Sequence, residues 1–104
     1  MCDKCNCCKP RYWNKSVQVY TEGKRITVEK NAFAFMFTNV GNDTAQIDNM
    51  TFFPSPTPLT DLGDSKSLTA HYQDIYNGRF NLSFAGVGNA PAMEVVQLYY
   101  MDEE

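Results

Sequence analysis

Apolar residues along this chain recur at every second position in short runs, and turn-forming residues separate the runs. That period is the period of a half-buried β-strand. Ser16 to Tyr20 sets Val17 and Val19 against Gln18, and Arg25 to Lys30 sets Ile26 and Val28 against charged neighbours. Thr21-Glu22-Gly23-Lys24 lies between them, so the two runs are expected to form a hairpin. Ala32 to Thr38 is the most apolar run, and Asn39-Val40-Gly41-Asn42-Asp43 turns the chain into Thr44 to Asp48, with Ala45 and Ile47 inward. The alternating prolines of Pro54-Ser55-Pro56-Thr57-Pro58 cannot donate to a ladder, which predicts an extended loop or an edge segment. A strand is expected near Ser67 to Gln73. Asn77-Gly78 predicts a tight hairpin joining Asp74-Ile75-Tyr76 to Arg79 to Phe84, with Phe80, Leu82 and Phe84 on one face. Ala92 to Met101 is the last and longest strand. No segment has helical apolar spacing with caps. The expectation is an all-β protein: a small antiparallel β-sandwich or jelly-roll-like domain behind an extended Cys-rich N-terminal arm.

Two strands break the rule of one apolar face. Phe33, Phe35 and Phe37 fall on one side of the third run, and Ala32, Ala34 and Met36 on the other. In the last run Val96, Leu98 and Tyr100 oppose Met93, Val95, Tyr99 and Met101. A strand apolar on both faces wants a second cover, either a loop folded over it or another subunit. The expected oligomer interface is Phe35, Met36, Val96, Leu98 and Tyr100.

Length and composition narrow the picture. With 104 residues the chain is one domain, divided as an arm over 1–13, a β domain over 14–101 and an acidic end over 102–104. A net charge of -3 with no basic stripe disfavours binding to a phosphate backbone. No apolar run approaches the ~20 residues of a membrane helix, and the N-terminus has no hydrophobic signal region, so synthesis in the cytoplasm is expected. No nucleophile, base and orienting group converge in the sequence. His71 is the lone histidine, and its neighbours Ser65, Ser67 and Asp74 lack a nucleophile elbow, so no catalytic residues are expected.

The most unusual segment is Cys2-Asp3-Lys4-Cys5-Asn6-Cys7-Cys8. A C-x-x-C pair is the thiolate spacing of zinc knuckles, but a structural zinc site joins two distant pairs. Here all four thiols, Cys2, Cys5, Cys7 and Cys8, crowd into one stretch. The readings are zinc held by several arms meeting at an axis, disulfides between subunits, or an arm whose thiols do nothing specific. Tyr12 and Trp13 follow at the junction. With the four cysteines they form the expected attachment site to a larger partner, and exposed aromatics there could also stack on a glycan.

Phe37-Thr38-Asn39-Val40-Gly41-Asn42-Asp43-Thr44-Ala45-Gln46-Ile47-Asp48, the loop Pro54 to Pro58, Tyr76-Asn77-Gly78-Arg79-Phe80-Asn81-Leu82-Ser83-Phe84 and the closing Val96-Gln97-Leu98-Tyr99-Tyr100 make up a pattern. It resembles small β-sandwich virion proteins of tailed bacteriophages, including crAss-like phages of gut bacteria. The resemblance implies a capsid-decorating or head-fibre subunit located in the virion. Such a subunit would be a homo-oligomer, a trimer by preference, bound to other virion proteins such as the major capsid protein. The alternative is a small glycan- or surface-binding module.

Overall fold

The computed structural model describes residues 12–55, 62–71 and 74–101. Eight strands account for its regular structure: β1 (Trp13–Tyr20), β2 (Lys24–Thr27), β3 (Ala32–Asn39), β4 (Ala45–Ile47), β5 (Met50–Phe52), β6 (Ser65–Thr69), β7 (Arg79–Phe84) and β8 (Met93–Tyr100). They form two antiparallel sheets of four, in the orders β1-β8-β3-β6 and β2-β7-β4-β5. We call these sheets I and II. Every consecutive pair of strands except β4 and β5 lies in opposite sheets, so the chain crosses the sandwich at nearly every turn. That strand order is an eight-stranded jelly roll, and the all-β expectation holds.

The crossings correct two local expectations. β1 and β2 do not form a hairpin: β1 pairs with β8 and β2 with β7. Alternation shows that a segment is a strand but is silent on its neighbour. Asn77-Gly78 also closes no hairpin. A type I′ turn needs positive φ at both central residues, and of this pair only Gly78 has it, at +143°. Asp74 to Tyr76 instead carries the chain from sheet I to sheet II, with Tyr76 N–H donating to the Ala32 carbonyl at 2.7 Å. The tight hairpin is elsewhere, between β4 and β5, where Ile47 faces Met50 across Asp48 and Asn49. Asp48 takes φ +52° there, a conformation that Asp tolerates better than most residues.

The core lies between the sheets. Phe35, Phe37, Met93 and Val95 of sheet I pack on Ile26, Ile47, Phe52 and Leu82 of sheet II. Phe80 stands edge-on to both Phe35 and Phe37, with centroids 4.9 and 5.4 Å apart, a favoured aromatic geometry. Three buried polar residues brace this core. Gln97 takes Glu29 N–H on its Oε1 (2.8 Å) and donates Nε2 to the Thr27 carbonyl (3.1 Å), which ties the middle of sheet I to the end of β2. Asn39 donates Nδ2 to the carbonyls of Asp43 and Phe52 and accepts Gly41 N–H. Asp43 accepts the N–H groups of Gly86 and Val87. No buried side-chain N or O among the described residues lacks a partner, as a stable interior requires.

Candidate functional site

The outer face of sheet I is built by register. Directly opposed residues in antiparallel strands point to the same side. Trp13 opposes Tyr100, Lys15 opposes Leu98 and Val17 opposes Val96, so these side chains share a face. Ala34 and Met36 of β3 oppose Leu98 and Val96 from the other flank. Tyr99, Val95 and Met93 point the opposite way, into the core or against it.

A bulge in β3 enlarges this outer face. The register with β8 shifts between Ala32 and Ala34, so Phe33 is the extra residue. Ala32 stays in the core, Phe33 and Ala34 both turn outward, and Phe35 re-enters the core. Phe33 then stacks on Tyr100, with centroids 4.3 Å apart and planes 24° apart. The expectation that Phe33, Phe35 and Phe37 share one face is therefore wrong at Phe33, because one unpaired residue resets the alternation. The expected interface is corrected at Phe35, which is only 2% exposed and packs on Tyr76 and Phe80 inside the sandwich. Met36, Val96, Leu98 and Tyr100 do lie together on the outer face.

The face is markedly apolar for a surface. Trp13 is 57% exposed, Val17 49%, Val19 54% and Met36 46%, while Val96, Leu98, Tyr100 and Phe33 are half-buried among them. Lys15 and Glu94 are its charged members, and Ser65, Ser67 and Thr69 of β6 line one margin. Val17, Val19 and Phe33 are additions that sequence reading missed. The phase of β1 was legible as Val17 and Val19 against Gln18, but only the pairing with β8 shows that this phase turns away from the core.

Tyr12 is 71% exposed, and its carbonyl accepts Met101 N–H at 2.9 Å. Trp13 is the first residue of β1, so the sheet takes in the last residue assigned to the arm. Cys2, Cys5, Cys7 and Cys8 lie outside the described residues, and with them the attachment and zinc readings. Among the described residues no His, Cys, Asp and Glu side chains gather as a metal site.

Of the residues near His71 in the sequence, Ser65 has its Oγ 3.0 Å from Thr38 Oγ1. His71 is exposed, and its backbone carbonyl accepts Asp74 N–H. An open groove of about 390 Å³ runs between β1 and β2, lined by Gln18, Tyr20, Lys24, Arg25 and Glu29 among others. The Lys24 ammonium sits 5.6 Å from the centre of the Tyr20 ring and covers that face. Burial, and then the nearby Glu29 charge, push the Tyr20 hydroxyl above its ordinary pKa. Burial opposes ionisation of Asp43. The N–H groups of Gly86, Val87, Gly88 and Thr44 outweigh it and hold this carboxyl below the usual range.

No family description, curated protein or solved structure matches this chain.

Proposed function

We propose that this chain is a non-enzymatic structural component of a phage virion, a capsid-decorating or head-fibre subunit that oligomerises and docks through its N-terminal arm. The observation that carries the reading is the apolar outer face of sheet I. An exposed, contiguous patch of Trp, Val, Met, Leu and Tyr side chains is what an assembly surface offers. Each large side chain left in water forgoes ~1.5–3 kcal/mol of burial, so covering several of them is a strong drive to associate. The jelly-roll order adds support by analogy, since viral capsid domains commonly use it. Three-fold symmetry rests on the resemblance to phage virion proteins.

The arm is the docking device in this reading. Its thiols and the cations Lys4, Lys9 and Arg11 precede β1, with the major capsid protein as the expected partner and zinc as the possible bridging ion. Exposed Tyr12 and Trp13 favour the second reading, a glycan- or surface-binding module, because a free aromatic face can stack on a sugar ring.

Quantitative mass spectrometry of purified particles tests the first reading. The protein should be present at a copy number in fixed ratio to the major capsid protein. Deleting residues 1–10 should leave the β domain folded by circular dichroism and remove it from particles. Absence from washed particles that carry every other head protein would overturn the proposal.

A further inference from the structure

The jelly roll ends on four edge strands, and three carry the usual protections against pairing with another chain. β2 has four residues with Lys24 and Arg25 among them, β5 has three and runs into Phe53-Pro54, and β6 is a short polar strand with Lys66 at its second position. Short length, lysines and nearby proline blunt an edge. β1 has none of these features except a single Lys15. It is eight residues long, without Pro or Gly, and its register with β8 is unbroken from Trp13 to Tyr20. Among the described residues no strand lies beyond it.

The hydrogen-bonding phase of this edge can be read. Met101 N–H donates to the Tyr12 carbonyl, so Tyr12 turns its backbone groups toward β8. In an antiparallel ladder the backbone groups of successive residues alternate sides. Trp13, Lys15, Val17 and Val19 therefore direct theirs to the open side. Lys15 agrees, since its N–H is taken by the Asn14 side chain at 2.8 Å and not by β8. The residues with outward backbone groups are also those whose side chains sit on the apolar outer face.

We propose that β1 pairs antiparallel with β1 of a second copy, joining two sheets I into one continuous sheet of eight strands. This rests on the self-association in the proposed function and adds a second contact to it, because edge pairing sets the two apolar outer faces side by side and leaves them to be covered by a further contact. The segment is self-complementary about a two-fold axis through Ser16. Trp13 then opposes Val19 of the second copy and Lys15 opposes Val17. Both are pairs of outward-bonding residues, so the ladder hydrogen bonds close once the Asn14 side chain releases the Lys15 N–H. No like charges face each other, and aromatic opposite β-branched is a favourable cross-strand pair. The segment before Tyr12 is a poorer occupant, as residues 1–11 hold no β-branched or aromatic residue and include Pro10. A pair of identical antiparallel strands is isologous, so the assembly is even-numbered, and three-fold symmetry fits it as a hexamer and not as a trimer.

Sedimentation equilibrium and amide hydrogen exchange on the full chain, with reductant present to keep the thiols apart, test this. Val17→Lys places a charge on the edge. Val17→Pro removes an N–H that faces outward and spares the bonds to β8. Both should halve the molar mass with an unchanged circular dichroism spectrum, and the Val19 amide, protected in the wild type, should exchange freely; because the Val17 side chain also sits on the outer face, a halved mass with a wild-type Val19 amide that already exchanges freely assigns the loss to that face and overturns edge pairing. If both variants keep the wild-type mass and the wild-type Val17 and Val19 amides exchange freely, edge pairing is overturned while self-association stands. A wild-type monomer with those amides exposed overturns both. Protection of those amides in a monomer places the occupant within the chain and overturns the pairing of copies.

Discussion

Phe33 lies against Tyr100 on the outside of sheet I, ring on ring at 4.3 Å, whereas Phe35 two residues later is sealed in the core. One bulge separates a surface aromatic from an interior one, and the two should respond differently to truncation. Phe35→Ala should cost about 3–5 kcal/mol, as for a large buried aromatic. Phe33→Ala should cost nearer ~1 kcal/mol of fold stability in the isolated chain, the scale of one aromatic pair. It should also weaken self-association. Urea unfolding of both variants, extrapolated to low protein concentration, checks the contrast.

Gln97 is a polar residue in the middle of an apolar interior, and its value is in the backbone groups it satisfies. Gln97→Leu adds apolar volume yet leaves Glu29 N–H and the Thr27 carbonyl without their partner. Both groups are part-buried beside the open groove, where water reaches them, so the expected loss is about 1 kcal/mol, the scale of a net intramolecular hydrogen bond. A Leu variant of wild-type stability in urea would show that water replaces the amide.

Asp43 gives the fold a pH dependence of defined sign. Its folded pKa is depressed below the unfolded value by the N–H groups aimed at it. The stability it contributes is therefore complete above the unfolded pKa and is lost as pH falls through the folded one. Asp43→Asn should be less stable than wild type near neutrality, and the gap should narrow below about pH 4, the ordinary Asp value. Urea midpoints across pH 2.5–7 read this directly, and a gap that stays constant would show that the charge is irrelevant.

Gly41 tests how tightly the two loops at that end are closed. A methyl group there would collide with Ala92 N and Ala90 O, both backbone atoms. Gly41→Ala should cost about 1–3 kcal/mol, the range for forcing a group into a packed site. Loss of the Val40-to-Ala92 and Asn42-to-Ala90 hydrogen bonds should accompany it, seen as faster amide exchange at Val40 and Asn42.

Most strands were legible because their alternation is local, and so was the surplus of apolar faces in β3 and β8; the three-residue β5 is too short to show alternation, and the polar β6 lies at Ser65–Thr69, two residues before the start expected for it at Ser67. The partners of the strands were not legible. Val17 and Val19 read as a strand face in any topology, and only the pairing of β1 with β8 turns them outward. Phe33 was misplaced because no turn residue or glycine marks the bulge at Ala32 to Ala34. Asn77-Gly78 misled because the chain there spans two sheets, and crossing the sandwich outweighs the local preference for a hairpin. The buried role of Gln97 was invisible for a related reason, as it bonds residues about seventy positions away.

The central claim is that the outer face of sheet I is an assembly surface. The molar mass of the reduced full chain across micromolar concentrations, wild type beside Leu98→Asp, tests it most directly. Leu98 lies mid-face between Lys15 and Ala34, and burying a carboxylate there without a partner is heavily disfavoured. The account predicts a wild-type oligomer, and a Leu98→Asp chain that keeps its fold but forms a smaller particle. A monomeric wild type, or a Leu98→Asp variant of unchanged mass, would contradict it.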